Sequence, residues 1–400
     1  MKRLSVAMGA AACALVLSVT ACSKSSAGND AGGSASSGGT IKIGAWMPLT
    51  GVYASVGIPQ QAGFDAWVKQ TNDAGGINGQ KIDWEVKDNQ FDPQQTIQVA
   101  RTMVADGVVA FVAPNGTSQA QAAFPFVLNQ SKVPIIFDYG GLATWYNPAQ
   151  PLLFGSQTLY ENQGAAVGQW AAQDGHTKIM VVHDDPAAYV TVANAVEPGV
   201  KATNPSLSVT QLSVKSGTTD YAPIVAQVKA AKPDAVILIT PYTEAAAYLK
   251  QAKLQNLGVQ TYGYVPATDT GLIKLAGADA EGFKGVQLVK PLSDTGSGVA
   301  GYKAAMAKYE SGQDLSFYSL TTYAEGVAFG QVLSKIKGKV TAQSIVAALE
   351  NSGPFDSGIL PPLSFSSSKH LGTDQVQRVS VQNGQFVASG SFISPPKSSG

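Results

Sequence analysis

At 400 residues and 41.3 kDa the chain exceeds one ordinary domain of roughly 100–200 residues, so two lobes are expected. Hydrophobic residues make up 44% of it, enough for a large core, and 42 glycines with 21 prolines fall short of a low-complexity or collagen-like share, which excludes both classes. With zero net charge, 14% charged residues and only three arginines (Arg3, Arg101 and Arg378), the chain offers neither the basic face of a nucleic-acid binder nor an arginine cluster for phosphate or carboxylate.

The first residues read as an address. Lys2 and Arg3 precede an apolar stretch, Leu4 to Val19, followed by Thr20-Ala21-Cys22. That is the order of a secretory signal, and the stretch is shorter than the roughly 20 apolar residues of a membrane span. Cysteine after small residues resembles a bacterial lipobox, so 1–21 is expected to be a lipoprotein signal and Cys22 the lipidated first residue of the mature chain; an ordinary signal peptide is the alternative. Cys13 leaves with the signal, so no internal disulfide is expected. In Ser23 to Thr40, 14 of 18 residues are Ser, Gly or Ala. Residues 22–40 are therefore expected to form a tether with a reach of roughly 20–25 Å. The predicted location is extracytoplasmic, lipid-anchored to the bacterial cell membrane.

The body alternates strands and helices. Ile41-Lys42-Ile43 opens a strand. Phe64, Trp67, Val68 and Thr71 share one helix face, and Gly75-Gly76 stops that helix. Ile82–Val86 is a strand. Asp92-Pro93 reads as the cap and first residue of a helix bearing Ile97, Ala100 and Val104. Strands over Val108–Ala113 and Val133–Phe137 enclose a helix near Ala120–Asn129. From about residue 160 the pattern restarts: helix Glu161–Asp174, strand Lys178–His183, helix Tyr189–Ala202, strand Leu207–Leu212. Next come a helix capped by Asp220, strand Ala235–Ile239, helix Glu244–Leu254 and strand Gln260–Val265. Val376–Val381 and Gln385–Ala388 flank Asn383-Gly384, a type I′ hairpin signal.

Apolar strands alternating with amphipathic helices predict α/β architecture with two doubly wound, Rossmann-like lobes. Ligands of such sheets sit beyond the carboxyl ends of the strands, at helix N-termini that favour anions without arginine. With two lobes, the natural site is the cleft between them.

Five stretches carry a resemblance when taken in order: Pro48-Leu49-Thr50-Gly51, Asp73-Ala74-Gly75-Gly76-Ile77-Asn78-Gly79, Asp92-Pro93, Val133-Pro134 and His370-Leu371-Gly372. Together, over about residues 41 to 395, the chain resembles the type I periplasmic solute-binding proteins of the branched-chain amino-acid (leucine-binding) branch of ABC importers. The resemblance implies two discontinuous lobes, 41–158 plus 291–372 and 159–290 plus 373–395, joined by crossings near residues 158, 290 and 373. It also implies a monomer that closes by hinge motion on a small-molecule solute and delivers it to an ABC transporter permease. No catalysis, cofactor, metal or nucleic-acid partner is expected.

The family holds its ligand's carboxylate by a hydroxyl after the third strand and by backbone groups after the fourth. Here Ser118 takes the hydroxyl position, with Thr117 the neighbouring candidate; both also suit a helix cap. Tyr139, Gly140 and Gly141 form the second loop, where glycine permits close backbone approach. In the other lobe Tyr189 matches the family's aromatic, and Tyr242 and Tyr264 are further wall candidates. Two departures stand out. Val56, with Tyr53 nearby, replaces the usual aromatic of the first long loop. The stretch Gly263-Tyr264-Val265-Pro266 lacks the acid that pairs with an amino acid's ammonium, which leaves Asp138, Asp184 or Glu244 as substitutes from another wall. The lack of that acid and the surplus of tyrosine favour a small carboxylate or neutral amide over leucine, isoleucine or valine.

Rival patterns are present. Gly116-Thr117-Ser118-Gln119-Ala120 approximates a nucleophile elbow, for which only His370 lies downstream in the required order; its fifth residue is not glycine. Gly296-Ser297-Gly298-Val299-Ala300-Gly301 fits a dinucleotide fingerprint but follows a polar loop instead of a strand. The same lobes would also serve a ligand-sensing receptor.

Overall fold

The computed structural model describes residues 39–395. The expected signal segment, Cys22 and nearly all of the tether lie outside them.

The first sheet is built from β1 (Thr40–Met47), β2 (Lys81–Asp88), β3 (Phe111–Val112), β4 (Ile135–Ile136) and β5 (Leu153–Phe154). All neighbours run parallel in the order β2-β1-β3-β4-β5. Helices α1 (Ala54–Asp73), α2 (Pro93–Ala105) and α3 (Thr117–Phe124) lie between them, and a π-helical turn, Pro125–Gln130, extends α3. The α1 stop falls where glycine predicts it: Gly75 and Gly76 take φ of +105° and +82°. Asp92 caps α2, accepting from the Gln95 amide at 2.7 Å. β3 and β4 are shorter than their apolar runs suggest. Ala113 and Phe137, at the ends of those runs, adopt φ of +55° and +60°, which turns the chain out of the sheet.

The second sheet uses β6 (Ile179–Asp184), β7 (Val209–Val214), β8 (Ala235–Ile239), β9 (Gln260–Gly263), β10 (Lys284–Gln287), β11 (Gln377–Gln382) and β12 (Gln385–Ala388). Its order is β12-β11-β10-β9-β8-β6-β7, with only the β11 and β12 pairings antiparallel. Around it lie α4 (Tyr160–Gln173), α5 (Ala187–Thr203), α6 (Ala222–Ala231), α7 (Tyr242–Leu254) and α8 (Thr270–Ala276). α6 begins one residue later than Asp220 capping would place it; Asp220 still accepts from the Ala222 amide at 3.0 Å. The hairpin turn is type I′ in substance, since Asn383 and Gly384 both have positive φ (51° and 71°).

Three further helices, α9 (Ser297–Tyr309), α10 (Phe317–Ser334) and α11 (Ala342–Ser352), follow β10. α10 packs on α1, where Gly63 brings the backbones so close that a Cβ there would stand 2.0 Å from the Ser319 carbonyl. α4 and α5 meet the same way: added Cβ atoms at Gly164, Gly168 and Gly199 would sit 2.0–2.3 Å from backbone carbonyls of the facing helix. Parallel strands covered by helices on both faces are apolar throughout, and every residue of β8 is buried. No helix among the described residues is long and apolar enough to cross a membrane.

Candidate functional site

Both lobes share one winding. The parallel part of the second sheet, read β7-β6-β8-β9-β10, repeats the order β2-β1-β3-β4-β5 of the first. Strand order reverses between β1 and β3 and between β6 and β8, and the crevice beyond those carboxyl ends is where such sheets take ligands.

A cavity of about 50 Å³ lies there, lined from both lobes by Tyr53, Val56, Phe91, Asn115, Gly116, Thr117, Tyr139, Tyr160, Ala188, Tyr189, Tyr264, Pro266 and Tyr318. Larger hollows of about 570 and 430 Å³ exist elsewhere. The larger of these gathers around Gln260, at the amino end of β9, on the wrong side of the sheet for this chemistry.

The starts of α1, α3, α4, α5 and α10 supply most of the walls: Tyr53 and Val56, Gly116 and Thr117, Tyr160, Ala188 and Tyr189, and Tyr318. The first amides of a helix lack intrahelical acceptors and carry partial positive charge. At α10 the first amides are already taken by the Asp269 carboxylate and the Ser316 hydroxyl, so the starts of α1, α3, α4 and α5 supply that partial charge, and no Lys, Arg, Asp or Glu lines the cavity.

Neutral hydrogen-bonding groups complete the walls. Thr117 Oγ1 and the Tyr160 hydroxyl lie 2.8 Å apart. Asn115 is fixed by donating to Gln60 Oε1 at 2.9 Å. The Tyr139 hydroxyl is buried with no protein partner among the described residues, so it is available to a solute. Tyr139 meets Tyr318 edge-on at 6.0 Å, and Tyr189 meets Tyr264 at 5.7 Å. Burial pushes the phenols of Tyr139, Tyr160, Tyr189, Tyr264 and Tyr318 upward, so they remain neutral donors at physiological pH.

The mouth is bridged by Tyr53 of the first lobe, whose hydroxyl lies 2.6 Å from Ser216 Oγ of the second. Beneath that bridge sit two buried acids. Glu244 accepts from the Gly217 amide at 2.9 Å and from the Tyr221 hydroxyl at 2.7 Å. Asp184 is buried beside Glu244; burial first, and then Glu244, raise its pKa well above the ordinary carboxylate range. Asp138, behind the Tyr139 loop, is likewise buried and raised, first by burial and then by Glu325.

The structure gathers Thr117, Tyr139, Tyr189 and Tyr264 in the cavity wall. Ser118 is exposed and stands outside that wall, because the first turn of α3 rotates it away from Thr117. Gly140 and Gly141 are buried behind the wall; Gly140 packs on Trp145, and Gly141 on Thr158 and Tyr160. Tyr242 lies one layer out, 6.5 Å from the Tyr318 ring. Asp138, Asp184 and Glu244 all lie outside the wall. His370 is buried against Phe154, with Nδ1 2.6 Å from the Gln150 carbonyl and Nε2 3.4 Å from Glu350. Among the described residues no hydrogen bond joins it to Ser118. Gly298 of the Gly-x-Gly run packs against Gly358.

Sequence reasoning missed Phe91, Asn115 and Tyr318. Tyr318 arrives on α10, some 130 residues beyond Tyr189, and no local motif marks it. Asn115 precedes the helix start already singled out at Thr117, and that position was its only signal.

Comparison with known proteins agrees with this geometry. The family model described as periplasmic binding protein matches residues 40–385. The chain is 27% identical over 328 residues to "Leu/Ile/Val-binding protein homolog 1" of Brucella abortus, covering 81% of this chain and 86% of the relative. Among solved structures, a solute-binding protein of an ABC transporter from Rhodopseudomonas palustris, in complex with 3,4-dihydroxybenzoic acid, shares the fold at TM-score 0.78 and 22% identity (90% of this chain, 99% of that one). A branched-chain amino acid ABC transporter protein from Thermus thermophilus with bound valine does so at 0.76 and 20% (90% and 97%). With two equally wound lobes facing each other across a cleft and a family match that spans both, the chain belongs to the periplasmic binding protein family and has its two-lobed, type I fold.

Proposed function

We propose that the protein captures a small aromatic carboxylate outside the cytoplasm and delivers it to an ABC import permease, held at the membrane by lipid on Cys22. The observation behind the ligand class is a cavity wall with six tyrosines and no charged side chain, set at the N-termini of α1, α3, α4 and α5. Flat rings suit tyrosine walls, and helix ends with neutral hydroxyls suit a carboxylate. Thr117, Tyr160 and Tyr139 are the hydroxyls in position for it. An α-amino acid would bring an ammonium too, and an unpaired charge in a closed cleft costs several kcal/mol. The acids nearest the mouth are poor partners: Glu244 already accepts two hydrogen bonds, and burial favours the protonated form of Asp184. The dihydroxybenzoate complex of the Rhodopseudomonas palustris protein supports the same class.

A cavity of about 50 Å³ is far below the roughly 300–1,000 Å³ typical of small-molecule sites. Entry therefore requires the lobes to part, with crossings near residues 158, 290 and 373 as the hinge. Titration calorimetry with benzoate, hydroxybenzoates, leucine, isoleucine and valine tests the ligand class. Micromolar binding of the benzoates is expected; tight binding of an aliphatic amino acid with none of the benzoates would overturn it. Intact-mass analysis of membrane-extracted protein tests the anchor, which predicts a mature chain starting at Cys22 with acyl mass.

A further inference from the structure

A groove of about 430 Å³ lies away from the cleft, where α8 and the β12 edge of the second lobe approach α9, α10 and the segment after β10. Its walls are apolar, with Ile273, Val289, Leu292, Leu315, Phe317 and Phe386 facing one another. Its charged lining residues are all lysines: Lys274, Lys290 and Lys303. Lys274 pairs with Asp314, whereas among the described residues no ion pair is made by Lys290 or Lys303. Three acids adjoin the lining in sequence: Asp314 pairs with Lys274, Asp294 accepts from the Gly296 amide near Lys290, and Asp269 accepts from the Gly271 and Phe317 amides, which leaves Lys303 as the lysine with no acid beside it in sequence.

We propose that this groove is a second ligand site, for an amphipathic organic anion whose apolar body lies between Leu292, Phe317 and Phe386 and whose head pairs with Lys290 and Lys303. The volume falls in the range of small-molecule pockets, and cationic groups above an apolar trough select a single anionic head on a hydrophobic body. Ile273 and Phe386 come from one lobe and Leu315 and Phe317 from the other, so an occupant favours the lobe arrangement seen here. By linkage it must then strengthen binding of any solute that needs that arrangement.

The probe is anilinonaphthalene sulfonate, an apolar aromatic anion, and a cleft variant distinguishes binding in the groove from binding in the opened cleft. The full-length protein is expected to bind it with enhanced fluorescence. Octanoate should displace it and octylamine should not. Lys290→Glu combined with Lys303→Glu should weaken binding at least tenfold without moving the melting transition, and Thr117→Val, which alters only the cleft, should leave it unchanged. Equal binding by the double variant, equal competition by octylamine, or loss on Thr117→Val would each overturn the proposal. None of these outcomes depends on which solute the cleft takes.

Discussion

Thr117 and Ser118 are adjacent hydroxyls with opposite fates. One is buried against the Tyr160 hydroxyl at 2.8 Å and the other faces solvent. Sequence spacing identifies the loop but not which neighbour turns inward, because a single residue step along a helix rotates the side chain by about 100°. Thr117→Val is expected to weaken solute binding by about 1–3 kcal/mol, the cost of an unmet polar partner in a buried site. Ser118→Ala should stay within about 0.5 kcal/mol, as exposed substitutions do. Calorimetry on both variants decides between them. A second residue-level expectation concerns Glu325, which is buried, hydrogen-bonded by Ser156 at 2.6 Å, and pushed up to about 8 by burial against that bond. The unfolded chain releases this proton near 4.5. Between those values the folded state binds more protons, so this contribution to stability is full below about pH 4.5 and lost as pH rises through 8. Urea unfolding at pH 6 and pH 9 should show Glu325→Gln gaining stability relative to the parent as pH increases; an equal difference at both values would refute the assignment.

Among the elements, those with local signals are legible in sequence. The Asp92-Pro93 start, the Gly75-Gly76 stop and the Asn383-Gly384 turn each fall where backbone chemistry puts them. β3 and β4 are not legible in length, because positive φ at Ala113 and Phe137 is imposed by the site loops and has no propensity marker. The packing of α4 on α5 is likewise silent in sequence, although it rests on Gly164, Gly168 and Gly199. A side chain at Gly199 would press on the Ala165 carbonyl at 2.0 Å. Gly199→Val is expected to cost about 3 kcal/mol or more, since overpacking against backbone finds no flexible group to yield. Chemical denaturation measures it, and a loss under 1 kcal/mol would mean that the two helices can separate freely.

For the whole molecule, the repeated strand order in two lobes follows from alternating apolar strands and amphipathic helices, and the cleft follows from the order in turn. What pattern reasoning does not deliver is which side chains meet across the cleft, because Tyr53, Tyr160, Tyr189 and Tyr318 converge from four separate helix starts. If the lobes part to admit solute, small-angle scattering should show a smaller radius of gyration with saturating ligand than without. An unchanged profile under saturation would count against hinge closure.

The bridge between Tyr53 and Ser216 has a consequence for timing. Ser216 is not part of the cavity wall, so its 2.6 Å contact with the Tyr53 hydroxyl cannot tell one solute from another. It can only hold the mouth shut, whatever is inside. A hydrogen bond worth about 0.5–1.5 kcal/mol lengthens the residence of every solute by a common factor of roughly 2–10. Stopped-flow release from Ser216→Ala should therefore run faster by one shared factor across all ligands, with their order of preference untouched. How tightly a cargo is held and how promptly it is surrendered to the permease would then be set by different residues, one group within the cavity and one at its rim.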